Sequence, residues 1–255
     1  MDAFDAMSAN VAAVESEGDY IGPDDMLYCG VCGTRKTCRV VILGRERIVR
    51  CICDHEKGAL EIKRGKIADA AKAKRLRAAF PASAYERMTF SADDGTAPEA
   101  SRTAREYADN FVESSPTGLL LYGNPGSGKT FLAACISNDL IARGYSVCFT
   151  SVSRVAQSVD ASFQGRGEEL ARILRSDLLV VDDLGTERDT PYMMEHAFNL
   201  IDGRYKLRKP MIISTNIDVE QMESEADISR ARIYGRIIET CAPVKGSGNR
   251  RRLKR

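Results

Sequence analysis

The apolar positions of this chain change period from one end to the other, and the changes mark out its elements. In residues 27 to 55 the apolar runs are short and β-like. The run RVVILGRERIVR places Val41 and Ile42 before Gly44-Arg45, with Ile48-Val49 after it, and predicts a hairpin. Residues 56 to 79, EKGALEIKRGKIADAAKAKRLRAA, predict a basic, Ala-rich helix that Pro81 ends. Ahead of these, residues 1 to about 25 are acidic and admit a short amphipathic helix through Phe4, Met7, Val11 and Val14. Residues 81 to 100 carry DDG and AP punctuation and predict a loop-rich boundary. The expected division is a small module at 1–80 and a larger domain at 81–255.

From about residue 101 helical patterns alternate with continuous apolar runs. ASRTAREYADNFVES, TFLAACISNDLIARG, SRVAQSVDASF, EELARILRS, PYMMEHAFNLIDGRYKLR and ISRARIYGRIIETC read as helices. GLLLYG, YSVCFTS, DLLVVDDLG and PMIISTN read as buried strands, and APVKG as a last short one. Strands apolar on both faces, alternating with helices, predict an α/β domain with a mostly parallel sheet covered by helices.

Composition adds little to this picture and charge adds more. Of 255 residues, 44% are hydrophobic and 29% charged, as in ordinary globular proteins. No apolar run approaches the roughly 20 residues that span a bilayer, so no membrane association is expected. The acidic start lacks the pattern of a signal peptide, which predicts a cytoplasmic location. The net charge of +1 hides an asymmetry: no Lys or Arg precedes Arg35, Arg35 to Arg77 is strongly basic, and the chain closes on RRRLKR. Such segregation favours contact with polyanions.

The candidate chemistry begins at Gly123-Asn124-Pro125-Gly126-Ser127-Gly128-Lys129-Thr130, followed by Phe131, which fits G-x-x-x-x-G-K-[ST] between a predicted strand and a predicted helix. Glycines let backbone N–H groups turn toward a phosphate without Cβ clashes. Lys129 then supplies a charge to the β- and γ-phosphates of ATP, and Thr130 a hydroxyl to Mg²⁺. DLLVVDDLG delivers Asp182 and Asp183 at a strand end. Asp182 is expected on the magnesium side, and Asp183 beside the attacking water. PMIISTN brings Ser214, Thr215 and Asn216 to the same rim, where Asn216, with Thr215 next, is expected to position the water. RARIYGRI sets Arg232 and Arg236 on one helix face, suited to stabilising transferring phosphate charge in trans.

Eight cysteines without a secretion signal argue against a disulfide framework. Cys29-x₂-Cys32 and Cys51-x-Cys53 flank the predicted hairpin and suit a structural Zn²⁺, with His55 an alternative to Cys53 and Cys38 a weaker candidate.

Together GNPGSGKT, LLVVDDLGTERDTPYMMEHAFNLIDGRY, KPMIISTN, RIYGRI and GNRRR resemble the AAA+ ATPases of the DnaC/IstB type, which load the replicative helicase of bacteria and their phages. The resemblance covers roughly residues 85 to 255. It implies a nucleotide shared between subunits of an ATP-dependent oligomer, with Arg236 as the finger supplied to the neighbour and Arg232 beside it. It implies a second sensor arginine at Arg252; the chain departs from the family's G-x-S-x-R there, which leaves Arg251 as an alternative. It assigns residues 1 to 80 to holding a hexameric, DnaB-type replicative DNA helicase. It also implies single-stranded DNA bound through Arg154, Arg166 and Arg172. A transposition helper that binds duplex DNA is the alternative on the same core; a small-molecule kinase fits the Asp182-Asp183 pair and the STN strand poorly.

Overall fold

The structure is a computed structural model that describes residues 18–113, 115–161 and 166–246. The N-terminal amphipathic pattern and Arg251 and Arg252 lie outside the described residues. The chain divides into two compact units, Met1–Ala71 and Lys72–Arg255.

In the first unit β1 (Tyr20–Ile21) pairs antiparallel with β2 (Leu27–Tyr28), and β3 (Thr37–Ile42) with β4 (Arg45–Arg50). The second pair is the predicted hairpin, in register from Thr37↔Arg50 to Ile42↔Arg45. Its two-residue turn, Leu43-Gly44, has φ of +52° and +74°, as the right-handed twist of the flanking strands requires. The core is small: Met26, Leu27, Cys29 and Cys53 are buried, and a buried Lys36 ammonium sits on Asp19 and faces Glu56. The long helix α1 (Asp54–Ala79) starts at Cys53, whose carbonyl accepts from Lys57 N at 2.9 Å. From residue 59 to 75 every position is exposed. The composition explains this, because charged residues fall on all sides and leave no apolar stripe to bury. The division between the units falls inside this helix.

In the second unit, Ala79 and Phe80 join the core. Helix α2 (Pro98–Asp109) follows, then β5 (Gly118–Tyr122), α3 (Lys129–Ala142), β6 (Val147–Thr150), α4 (Val152–Ala161) and α5 (Arg166–Arg175). The chain continues through β7 (Leu178–Leu184), α6 (Pro191–Lys206), β8 (Met211–Thr215), a short α7 (Val219–Glu223), α8 (Ile228–Thr240) and β9 (Cys241–Lys245). The five strands form one parallel sheet in the order β6-β7-β8-β5-β9. APVKG is indeed the last strand, at the edge beside β5. The short α7, absent from the pattern, is nucleated by a capping box between Asp218 and Gln221.

The alternation of strand side chains sorts the core into two layers. Leu119, Leu121, Val180 and Ile212 face α2 and α3, whereas Leu120, Leu179, Val181 and Ile213 face α4, α6 and α8. Both faces are dry, as the continuous apolar runs require. Gly118 opens β5 because a Cβ there would lie 1.9 Å from the Met211 carbonyl oxygen. At the carboxyl end of β7 the pairing with β8 shifts between Val181 and Leu184. Asp182 and Asp183 occupy that irregularity, and Asp183 has φ of +56°.

Candidate nucleotide site

The loop from Gly123 to Gly128 joins β5 to α3. Gly123, Gly126 and Gly128 have φ of +127°, +85° and +92°, conformations that L side chains resist. Gly128 is the N-cap of α3 and brings no side chain to it, so the first-turn N–H groups have no side-chain acceptor. A helix start of that kind is a phosphate seat. The buried Ser127 hydroxyl has no hydrogen-bond partner among the described residues. Both observations fit a triphosphate cradle.

Lys129 is buried at the start of α3. Its ammonium donates to Gly123 O at 2.8 Å, Asn124 O at 3.0 Å and Asn216 Oδ1 at 2.8 Å. Burial lowers its pKa below the usual lysine value, and the nearby Asp183 and Asp182 oppose that shift. Thr130 donates its hydroxyl to Asp182 Oδ1 at 2.9 Å, and the Ser214 hydroxyl donates to the same oxygen. Asp182 is buried, and burial raises its pKa while Ser214 and Thr130 pull the other way. A desolvated carboxylate that faces the Thr130 hydroxyl is a suitable donor set for a divalent cation.

Asp183 is exposed and turned away from its neighbour by its left-handed backbone. Its N–H donates to Ser214 Oγ at 2.9 Å. Ser214 therefore holds the Asp182 carboxylate through its proton and the Asp183 backbone through its oxygen. Its role as a strut between the pair has no sequence signal beyond its place at a strand end. Of the two hydrogen-bonding candidates that follow, Asn216 reaches Lys129, whereas Thr215 gives its hydroxyl to Leu184 O at 2.8 Å and closes the β7–β8 junction. Asn124 and Pro125 are exposed on the outer curve of the loop, and Phe131 packs on the core. A cavity of about 200 Å³ lined by Tyr85, Thr150, Ser151, Arg154, Asp182 and Asp183 opens beside the carboxylates.

Arg154 lines that cavity, and the other candidate arginines among the described residues fall elsewhere. Arg236 lies on α8, where its guanidinium meets Asp202 of α6 at 2.6 Å and stands over the Phe198 and Tyr205 rings at 5.1 and 5.5 Å. Arg232 and Arg154 are exposed, and Arg172 is clamped by Glu169 at 2.8 and 2.9 Å.

In the first unit the sulfurs of Cys29, Cys32 and Cys53 lie within 4.8 Å of one another. Zn–S bonds of about 2.3 Å at tetrahedral angles put sulfurs roughly 3.8 Å apart, so the three fit three corners of one zinc site. The Thr34 hydroxyl and the backbone N–H groups of Thr34 and His55 pull the Cys32 thiol down to about 6. Glu56 N donates to Cys53 Sγ at 3.4 Å from the first turn of α1. Cys51, expected as a ligand, stands outside this group. Its N–H bonds Lys36 O at 2.7 Å, which extends the hairpin ladder and turns its thiol toward Cys38. Only at Cys53, where the helix begins, does the chain reach the other two sulfurs. The His55 imidazole is not among the grouped ligand atoms.

No helix among the described residues is long and apolar enough to cross a membrane. Comparison with known proteins points one way. The chain is similar to the replicative helicase loader DnaC of Escherichia coli (strain K12), 30% identical over 123 residues that make up 47% of this chain and 50% of the relative. It is similar to the replicative helicase loader DnaI of Bacillus subtilis (strain 168), 27% identical over 147 residues, 53% of this chain and 47% of the relative. It thus spans about half the length of the curated relatives it matches. A crystal structure of DnaI superposes with a TM-score of 0.55 at 27% identity, covering 66% of this chain and 95% of that one. A family model described as IstB-like ATP binding protein matches residues 44–255. A match of that extent takes in the whole nucleotide unit, and the chain belongs to the IstB-like family of AAA+ ATP-binding proteins.

Proposed function

We propose that this chain is an ATP-hydrolysing, magnesium-dependent loader that delivers a hexameric replicative helicase onto single-stranded DNA. The observation that carries the reading is the joining of two parts: a nucleotide site of AAA+ type and, ahead of it, a unit whose Cys29, Cys32 and Cys53 sulfurs converge. The matched relatives named as replicative helicase loaders support it. On this reading residues 1–80 hold the helicase, stiffened by zinc on the three cysteines, and residues 81–255 are the ATPase domain.

In the nucleotide site Lys129 leaves the carbonyls of Gly123 and Asn124 for the phosphates, and Thr130 with Asp182 holds magnesium. Magnesium, when bound, supplies positive charge to the phosphate oxygens. Asp183 orients or deprotonates the attacking water. Asn216, bonded to Lys129 at 2.8 Å, positions the attacking water near the γ-phosphate. Arg236 acts on the nucleotide of a neighbouring subunit, with Arg252 as the second sensor. Subunits assemble in an ATP-dependent manner, and hydrolysis releases the helicase.

The test is a pull-down with the zinc-loaded chain as bait and ATP present, the eluate probed for the cognate ring helicase. Co-elution that depends on Lys129 supports the reading. A chain that ignores the helicase yet forms ATP-dependent filaments on duplex DNA would instead be a transposition helper.

A further inference from the structure

Asp202 of α6 is a nearly buried carboxylate, 9% exposed, that faces two cations. Lys206, one turn along the same helix, reaches Oδ2 at 2.8 Å, and its own side chain is 72% exposed. Arg236 reaches Oδ1 at 2.6 Å from α8. Lys206 is the largest influence holding the Asp202 carboxyl below the usual carboxylate range, and Arg236 adds to it. The Arg236 contact is an ion pair whose Nε, also buried, has no hydrogen-bond partner among the described residues. Arg236 is kept in place by the Phe198 and Tyr205 rings and by one bond from Nη1 to Arg232 O at 3.0 Å. The Tyr205 hydroxyl is itself tied to Glu239 of α8 at 2.8 Å.

A buried carboxylate that loses its only cation is heavily destabilised, because desolvation is then uncompensated. Asp202 has a second cation. Arg236 can leave without stranding it.

We infer that Asp202 is a holding site for Arg236 and that Lys206 is the counter-ion that lets Arg236 go. In the lone subunit Arg236 rests on α6. In the assembly it exchanges Asp202 for the phosphates of a neighbour's nucleotide, and Lys206 keeps Asp202 neutralised. Asp202 and Lys206 are then positioning residues that set how readily the arginine is delivered. The inference rests on the proposed trans role of Arg236.

Lys206→Met tests it, because an exposed lysine is ordinarily dispensable to the fold. ATP turnover of the full chain is measured against protein concentration, beside the nucleotide affinity and melting temperature of each variant. The expected result is a loss of about fivefold in turnover, the upper end of what an exposed ion pair contributes, with affinity unchanged and melting lowered by no more than about 4 °C. Lys206→Arg should keep wild-type turnover. Adding Asp202→Asn to Lys206→Met should restore it, since a neutral amide no longer retains the guanidinium. Wild-type turnover in Lys206→Met, with Arg236→Ala inactive, overturns the inference and leaves the trans role standing. Full turnover in Arg236→Ala overturns the trans role itself, and this inference with it.

Discussion

Arg204 is the largest fully buried side chain among the described residues of the second unit, with 0% exposure, and its hydrogen-bond partners are backbone carbonyls. Nε donates to Pro210 O at 3.1 Å, Nη1 to Leu174 O and Ser176 O at 2.7 Å each, and Nη2 to Asp177 O at 2.8 Å and Pro210 O at 2.6 Å. These carbonyls lie at the end of α5 and at the entries to β7 and β8. The guanidinium therefore ties the amino ends of the two strands whose carboxyl ends carry Asp182 and Asn216. Replacing it with methionine, Arg204→Met, conserves much of the volume and removes a donor from four carbonyls, of which Pro210 O and Ser176 O keep a second donor at 3.5 Å, Leu179 N and Lys209 Nζ. At about 1–3 kcal/mol for each of the other two, the gross loss is roughly 2–6 kcal/mol. The removed charge offsets part of this, since burial already pushes the Arg204 pKa down to about 10. The net expectation is roughly 2–4 kcal/mol of lost stability. At about 2–4 °C per kcal/mol for a unit of this size, melting should fall by roughly 4–16 °C. Thermal unfolding followed by circular dichroism, without nucleotide and at fixed protein concentration, reads this directly. Arg204→Lys, which keeps the charge but lacks the planar fork, should recover less than half of the loss. A folded Arg204→Met protein that melts within about 2 °C of the wild type would refute the reasoning.

Three further outcomes are expected. Gly246→Ala would place a Cβ 2.4 Å from Ser127 Oγ, 3.0 Å from Ser127 Cβ and 3.3 Å from Ser127 O. Displacing the phosphate loop should weaken nucleotide binding about tenfold by fluorescence titration, within the range for overpacking, and unchanged affinity would show that the loop yields freely. Burial lowers the Lys129 pKa, and a bound triphosphate favours the charged ammonium. Binding therefore takes up a proton, and affinity should fall as pH rises through the Lys129 pKa of the free protein, below the usual lysine value of about 10.4; a flat profile from about pH 7 to about pH 10 would count against it. Cys29→Ser, Cys32→Ser and Cys53→Ser should each lose zinc measured by atomic absorption, while Cys38→Ser keeps it. The zinc content of Cys51→Ser then decides whether that thiol swings in as the fourth ligand.

Much of the nucleotide site was legible because its chemistry is local. The run from Gly123 to Thr130 carries its own backbone requirements, and Asp182-Asp183 follows four apolar residues that can only be a buried strand. The hairpin from Thr37 to Arg50 was legible for the same reason, since its turn and its alternation lie within one stretch. Spacing and the hairpin offer Cys51 as a ligand beside Cys53. Spacing does not record that the β-ladder continues through Cys51 and stops before Cys53. Arg204 illustrates the opposite limit: nothing in NLIDGRYKLR distinguishes a solvated arginine from a fully buried one.

The sequence by itself determined the alternation of helices and parallel strands, the phosphate loop and the identity of its carboxylate partners. Periodicity and residue type suffice for these, because each is enforced within a few neighbouring residues. Only the tertiary structure decided the strand order that brings β8 beside β5 and β7. Ser214 thereby bridges the Asp182 carboxylate and the Asp183 backbone, and Asn216 meets Lys129, 87 residues away in the chain. Only it decided that Arg236 rests on Asp202 and that Gly246 lies against Ser127. Those pairings depend on which elements become neighbours when the apolar faces are buried together, and no local pattern carries that information.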